Sequence, residues 1–213
     1  MIKAVLFDLD GTLLDTSEGI KHSVRYTLLK MGYNELPEET ILKFVGPPIQ
    51  NSLMTYCGVD ADEAQRGANV FREFYKNQAL FEASLYDGII DLLKELKSRS
   101  IRIGVATYKR EDYALDLLEK FKIANYCDVI HGADNNNVLT KADIVEKCIS
   151  ELGANKEYTI LVGDTDHDAK GAAEANVKFV AVSWGFGYDK NNKCIDYPCY
   201  RTIDVPGQLL LCL

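Results

Sequence analysis

Apolar and polar positions alternate between two periods along most of the chain. Residues 2–7, Ile-Lys-Ala-Val-Leu-Phe, form an apolar run of strand length. Similar short runs recur at 101–106, 128–130, 159–162 and 178–183. Between them the period lengthens. Ile89, Leu92, Leu93 and Leu96 share one helical face and predict a helix over 88–97, and further helices are expected over 111–121, 141–152 and 166–175. Strands separated by helix-length segments imply βαβ units and a parallel sheet. The strands are apolar without alternation, which fits a sheet covered on both faces.

One stretch breaks this rhythm. Residues 15–84 carry no strand pattern. Ile20, Val24, Thr27, Leu28 and Met31 recur at helical spacing, and Gly32 is placed to end that helix. Pro37-Glu38-Glu39 reads as a helix start, and Gly46-Pro47-Pro48 as a rigid loop. Ile49 begins another helix that Gly58 can end, and Asp60 with Glu63 forms an N-cap pattern before Val70, Phe71, Phe74 and Tyr75. About four helices result. The expected class is α/β: a doubly wound parallel sheet from residues 1–14 and 85–213, with an inserted α-helical cap domain over 15–84. The hinges are expected at Asp15-Thr16-Ser17 and in 82–86.

Composition narrows the partners. The 213 residues are 47% hydrophobic, ordinary for a globular protein. Against 32 acids stand only 24 bases, a net charge of −8, which argues against a general nucleic-acid binder. It leaves small anionic substrates open, because local cations can outweigh net charge. The six cysteines show no Cys-x-x-Cys pair and read as buried or free thiols of a reducing compartment. Cys194 and Cys199 are close enough for a disulfide or half a metal site, but no second ligand pair accompanies them. His22, His131 and His167 lie far apart, which argues against a histidine zinc site. No signal-peptide pattern is visible, and no run approaches the roughly 18 apolar residues of a membrane span. The expectation is a cytoplasmic protein, a monomer or small homo-oligomer, with neither nucleic-acid nor membrane partners.

The chemistry begins where the first strand ends. Asp8-Leu9-Asp10-Gly11-Thr12 follows it directly. Residues i and i+2 of a strand share a face, so Asp8 and Asp10 project side by side. Two like charges so close are costly unless a cation lies between them or they share a proton. A hard cation such as Mg²⁺ would take their oxygens. Asp-Gly is also a common hairpin pair, and the segment alone does not separate the two readings.

In open α/β sheets ligands bind beyond the carboxyl ends of the strands, so reactive groups are expected after other strands too. Thr107, followed by Tyr108 and Lys109, comes directly after the 101–106 run. Its hydroxyl and the nearby N–H groups suit a phosphate oxygen, or else simply cap a helix. Gly163-Asp164 follows the 159–162 run, and Asp168 lies one helical turn on, able to point to the same place. Acids in a first helical turn are also favourable in themselves. Asp166 and His167 are expected to face elsewhere. Lys141 opens a helix, where the dipole disfavours it. It reads as a functional charge facing the carboxylates, or as a solvated surface lysine.

Taken in order, Asp8-x-Asp10-Gly11-Thr12, Thr107, Lys141 and Gly163-Asp164-x-x-x-Asp168 resemble the motifs of the haloacid dehalogenase-like hydrolase superfamily. The helical insert after the first motif resembles the branch with a helical cap between motifs one and two. Phe44-Val45-Gly46-Pro47-Pro48 and Trp184-Gly185-Phe186-Gly187 look like bacterial members labelled phosphoglycolate phosphatase or 5′-nucleotidase. One departure is Ala142, where many relatives carry proline.

The resemblance implies Mg²⁺-dependent hydrolysis of a small phosphorylated metabolite. Asp8 would be the nucleophile and Asp10 the acid–base. Asp8, the Asp10 carbonyl and Asp164 would hold the metal, with Asp168 binding directly, through water, or from behind a ligand. Thr107, Lys141, Gly11, Thr12 and Tyr108 would face the phosphate, and Lys141 would also restrain Asp8. Alternatives are a sugar phosphomutase, a halide-releasing hydrolase, for which the extra acids are superfluous, and a non-enzymatic phospho-acceptor domain. Trp184 and Phe186 form either a ligand-facing loop or an aromatic turn packed on the core.

Overall fold

The computed structural model describes residues 1–134, 138–189, 194 and 196–213. By internal contacts the chain divides into two units, Met1–Asp15 with Leu85–Leu213, and Thr16–Ser84. The chain passes between them beside two short strands, β2 (Leu14–Asp15) and β3 (Ser84–Leu85).

The first unit is a six-stranded sheet: β1 (Ala4–Phe7), β4 (Arg102–Arg110), β5 (Val129–Ala133), β6 (Thr159–Gly163), β7 (Lys178–Val182) and β8 (Arg201–Ile203). Their order is β5-β4-β1-β6-β7-β8, and the register is parallel throughout. The connecting helices are α5 (Ile89–Ser98), α6 (Glu111–Lys120), α7 (Lys141–Leu152) and α8 (Asp166–Glu174). On one face Ala4, Leu6, Leu161 and Phe179 pack in a cluster with Ile144, Val145 and Cys148 of α7 and Ala172 of α8. The alternate residues Val5, Phe7, Ile160 and Val180 are buried as well. The sheet is therefore doubly wound, which is why its strands lack a polar face. The chain order reverses at β1, so the carboxyl ends of β1, β4 and β6 adjoin, the position where such sheets bind ligands.

Besides the two-residue β2 and β3, too short to show a period, two strands differ from the pattern-based expectation. The 101–106 run does not end at Ala106. β4 continues to Arg110, but its register with β5 slips, Ala106 pairing with His131 and Arg110 with Ala133. Four steps on β4 thus oppose two on β5. Gly132 makes this possible, since a Cβ there would lie 2.5 Å from the Lys109 carbonyl oxygen. Thr107-Tyr108-Lys109 consequently sits in a bulge rather than in a turn, a common device beside active sites. The edge strand β8 was not expected from the pattern: Arg-Thr-Ile is too short to show a period.

The second unit is helical: α1 (Ser17–Met31), α2 (Glu38–Leu42), α3 (Ile49–Cys57), α4 (Ala61–Phe74) and a π-helical turn (Tyr75–Ala79). Gly32 and Gly58 end α1 and α3 in the left-handed conformation, and the Asp60 carboxylate caps α4 by accepting from the Glu63 N–H. Ile20, Val24 and Leu28, with Leu53 and Ala68, are buried, so the helical stripe read from the sequence is the face that packs. Among the described residues no helix is long and apolar enough to cross a membrane.

Candidate active site

The site belongs to the first unit and is assembled from the ends of β1, β4 and β6 and the starts of α7 and α8. Asp8 follows β1, its N–H still donating to the Val162 carbonyl of β6 at 2.9 Å. After it the chain wraps tightly around one acceptor: the Leu13 and Leu14 N–H groups both reach the Leu9 carbonyl at 3.0 Å. Gly11 takes a φ of +78°, and a Cβ there would meet Asp164 Oδ2 at 2.2 Å. The glycine is thus required both by conformation and by the approach of a second carboxylate.

Lys141 is the link among the acids. Its Nζ lies 2.6 Å from Asp8 Oδ1 and 2.6 Å from Asp168 Oδ1, and it is buried. A lysine at a helix start is opposed by the dipole, and three features hold it there. A capping box between Thr140 and Asp143 fixes the helix end. The Lys141 N–H donates to the Tyr108 hydroxyl at 2.9 Å. Gly171 of α8 leaves room for the lysine stem, since a Cβ would lie 2.4 Å from Lys141 Cγ. The surface-lysine reading is excluded. Tyr108 thus stands behind Lys141, its hydroxyl engaged by the main chain.

Asp168 closes the cap of its own helix, the favourable first-turn role, and turns its other oxygen to Lys141. Its Oδ2 accepts from the Thr165 hydroxyl at 2.8 Å and N–H at 3.1 Å, closing the capping box of α8, while Oδ1 pairs with Lys141. Asp164, wholly buried, accepts at Oδ2 from the Phe186 N–H at 2.7 Å; its Oδ1 has the Thr12 hydroxyl at 3.5 Å. Single oxygens of Asp8, Asp164 and Asp168 all lie within 4.8 Å of one another. The Asp10 carboxylate stands outside this triad, 2.9 Å from Lys109 Nζ. Thr107 is fully buried, its hydroxyl accepting from the Lys109 N–H at 3.1 Å. Asp166 binds the Tyr188 hydroxyl, and His167 sits edge-on to Tyr108; both are exposed.

Electrostatics show that the cluster lacks positive charge. Burial, and then Asp168 and Asp10, push the Asp8 carboxyl up to about 7, although Lys141 opposes them. Burial also drives Asp164 well above the usual carboxylate range, with Asp168 and Asp8 adding to it and the Phe186 N–H opposing. Burial alone lowers the Lys141 ammonium pKa, but Asp168 and Asp8 outweigh it and hold the group charged. Fully ionised, Asp8, Asp10, Asp164 and Asp168 would carry four negative charges against two positive ones on Lys109 and Lys141. The remainder of −2 matches one divalent cation, and an all-oxygen donor set suits Mg²⁺.

This arrangement accompanies a family match. The haloacid dehalogenase-like hydrolase family matches residues 5–182. The chain belongs to that family. It is 33% identical over 207 residues to a 5′-nucleotidase of Pseudomonas aeruginosa, covering 93% of this chain and 94% of that one. To the pyrophosphatase PpaX of Oceanobacillus iheyensis it is 35% identical over 211 residues, covering 96% and 94%. The crystal structure of a predicted phosphatase from Clostridium acetobutylicum superposes with a TM-score of 0.91 at 34% identity over the full length of both chains. The chain is accordingly a hydrolase of the phosphatase kind within this family.

Two parts of the site escaped the sequence reading. In the sequence Lys109 is only a neighbour of Thr107; a lysine at a strand end beside an acid-rich loop is the available signal. The loop 184–187, by sequence either ligand-facing or core-packing, contacts the site: Trp184 Nε1 donates to the Thr12 carbonyl at 3.1 Å, and the Phe186 N–H grips Asp164. The suspected Cys194–Cys199 disulfide is absent. Both thiols are free, with the Cys199 sulfur directed at the Arg201 carbonyl. Among the described residues the only cluster of metal-binding type is Asp8, Asp164 and Asp168.

Proposed function

We propose that this phosphatase hydrolyses a small phosphate monoester with Mg²⁺ through an aspartyl-phosphate on Asp8. The observation that carries this reading is the separation of the two strand-end acids. Asp8 sits in the charge-deficient triad against Lys141, while Asp10 is held apart by Lys109. Asp8 attacks phosphorus and the bond from phosphorus to the leaving oxygen breaks, the leaving alkoxide taking a proton from Asp10. Water then attacks the same phosphorus and gives its proton to Asp10. The Asp8–phosphorus bond breaks and releases phosphate. Lys141 keeps the Asp8 carboxylate aimed and, with Thr107, holds phosphate oxygens. The backbone turn at Gly11 and Thr12 would face the same phosphate.

Asp8, Asp164 and the Asp10 carbonyl would hold the Mg²⁺, with Asp168 close by, and the ion would neutralise charge on the bound phosphate. The name of the 5′-nucleotidase relative and the resemblance to phosphoglycolate phosphatases support a monoester, and the pyrophosphatase relative puts pyrophosphate into the same screen.

The test is a Mg²⁺-dependent phosphate-release screen over phosphoglycolate, nucleoside monophosphates, sugar phosphates and pyrophosphate, run with the natural protein and Asp8→Asn. Release from at least one ester, lost in Asp8→Asn and on chelation, is expected. Inactivity toward all of them and p-nitrophenyl phosphate, or full turnover in the variant, overturns the reading. Isomerisation of a sugar phosphate without net release would favour a mutase.

A further inference from the structure

Asp164 has one oxygen already taken. Its Oδ2 accepts from the Phe186 N–H at 2.7 Å, whereas its Oδ1 has only the Thr12 hydroxyl at 3.5 Å, the outer limit of a hydrogen bond. The donor comes from the loop 184–187, which follows β7 and belongs to none of the four motifs. The loop is pinned at both ends to the parts that carry the site. At its start the Trp184 indole donates to the Thr12 carbonyl in the turn after β1. Just past its end, buried Tyr188 donates to Asp166, the first residue of α8, at 2.6 Å.

The glycines explain how the loop comes so near. At Gly185 a Cβ would lie 2.4 Å from Asp164 Cβ, from Asp164 Oδ2 and from the Gly11 carbonyl oxygen. At Gly187 it would lie 2.4 Å from the Asp164 carbonyl oxygen. Neither glycine takes a left-handed φ, so conformation does not demand them; close approach to Asp164 does. The loop is a fitted cradle around one carboxylate.

We propose that the loop 184–187 is a clamp that makes Asp164 a one-oxygen ligand, with the Phe186 N–H holding Oδ2 and Oδ1 left for the cation. The inference rests on the Mg²⁺ reading above and extends it to residues outside the motifs. The clamp removes the rotation by which Asp164 could swing away or bind through both oxygens. It acts on affinity for the ion, and Trp184, Gly185, Phe186 and Gly187 are positioning residues. Groups standing behind a metal ligand in this way typically change metal affinity by about 10–100-fold when altered.

The experiment is calorimetric titration of the full-length, substrate-free protein with Mg²⁺, with melting temperatures recorded without metal. Gly185→Ala is expected to weaken Mg²⁺ binding by about 10-fold or more. In steady-state assays its Mg²⁺ half-saturation should rise in parallel while kcat at saturating Mg²⁺ falls much less. Trp184→Phe keeps most of the ring and loses the Nε1 donor. It should weaken binding by a smaller factor, and it serves where Gly185→Ala does not fold. Mg²⁺ affinity unchanged in both variants, or in Trp184→Phe alone where the alanine variant does not fold, overturns the clamp. The metal reading survives that result, because the natural protein still binds. No Mg²⁺ binding by the natural protein overturns the metal reading and the clamp with it.

Discussion

Lys109 Nζ lies 2.9 Å from Asp10 Oδ1, and both side chains are more than nine-tenths buried. The contact exists because β4 bulges. A regular strand would keep Lys109 in the ladder, whereas the register slip between Ala106 and Arg110 frees the segment to bend. Asp10 is thereby tied to β4 while Asp8, two residues earlier, is tied to α7 through Lys141. Two adjacent acids are given different cations, and so different chemistry.

Lys109→Met should therefore disable the acid–base more than the nucleophile. Loss of an aligned acid–base group costs about 10²–10⁴-fold, and kcat for phosphate release should fall by at least the lower figure. Breaking a buried pair from one side also costs about 3–5 kcal/mol, readable in urea unfolding. Lys109→Arg keeps the charge and should recover part of both. Near-normal kcat in Lys109→Met would falsify the assignment of Asp10 to proton transfer under Lys109.

Asp8→Asn should inactivate the enzyme and stabilise its metal-free form. Burial and the neighbouring acids push the Asp8 carboxyl up to about 7 even against Lys141, so the charged side chain is a net liability without a cation. Asparagine keeps the shape and can still accept from Lys141. In chelator, its melting temperature should exceed that of the natural protein by roughly 3–8 °C, since about 1 kcal/mol moves a chain of this size by about 2–4 °C. Added Mg²⁺ should raise the natural protein's melting temperature and narrow the gap. A lower melting temperature for Asp8→Asn in chelator contradicts the charge deficit.

The parts of this architecture that were legible are those written in local pattern. The helical stripe from Ile20 to Leu28, the caps at Gly32, Gly58 and Asp60, and the start of α7 at Lys141 follow from periodicity and end chemistry. The strand-end placement of Asp8 and Asp164 was legible for the same reason. The β4 bulge was not, because it depends on what Gly132 of a different strand allows. The grip of Phe186 on Asp164 is a backbone donor acting across 22 residues, and a main-chain N–H has no letter in the sequence. Asp168 shows a further limit: capping and charge pairing predict the same residue, and its two oxygens serve both.

Asp128 offers a test of pH dependence away from the site. Its Oδ2 accepts from the Ile103 N–H at 2.7 Å and its Oδ1 faces Lys97 Nζ at 2.7 Å, joining α5 to β4. Burial alone would raise its pKa, but the Lys97 ammonium and the Ile103 N–H outweigh burial and hold it below the usual value of 3.8. A depressed folded-state pKa contributes stability above the unfolded value and loses it as pH falls through the folded value. Asp128→Asn should therefore cost about 0.5–1 kcal/mol at pH 7, small because both partners are partly solvated. The difference should shrink below pH ~4. Urea unfolding at pH 7 and at pH 3 reads it; a larger penalty at pH 3 reverses the sign and refutes the argument.

Gly19 sets two physical rules against each other within the helical unit. It lies inside α1, where replacing glycine by alanine ordinarily gains about 1 kcal/mol of helix propensity. But α1 passes the π-helical turn so closely that a Cβ at 19 would lie 2.2 Å from the Ala79 carbonyl oxygen and 3.2 Å from that of Glu82. Both obstacles are backbone, and the Gly19 N–H donates to the Glu82 carbonyl at 3.1 Å, so the neighbouring chain is held in place. Separating the segments breaks that bond and opens the packing beside buried Ile20 and Ala79. Overpacking of this kind costs about 1–3 kcal/mol, and contact with rigid backbone belongs at the upper end. The steric cost outweighs the propensity gain, so Gly19→Ala should destabilise the protein by about 1–2 kcal/mol in urea unfolding. Lys30→Ala, on the same helix with its side chain over the Tyr26 ring, should change stability by less than about 0.5 kcal/mol. If Gly19→Ala is as stable as the natural chain or more so, propensity prevails and the close approach is absent in solution.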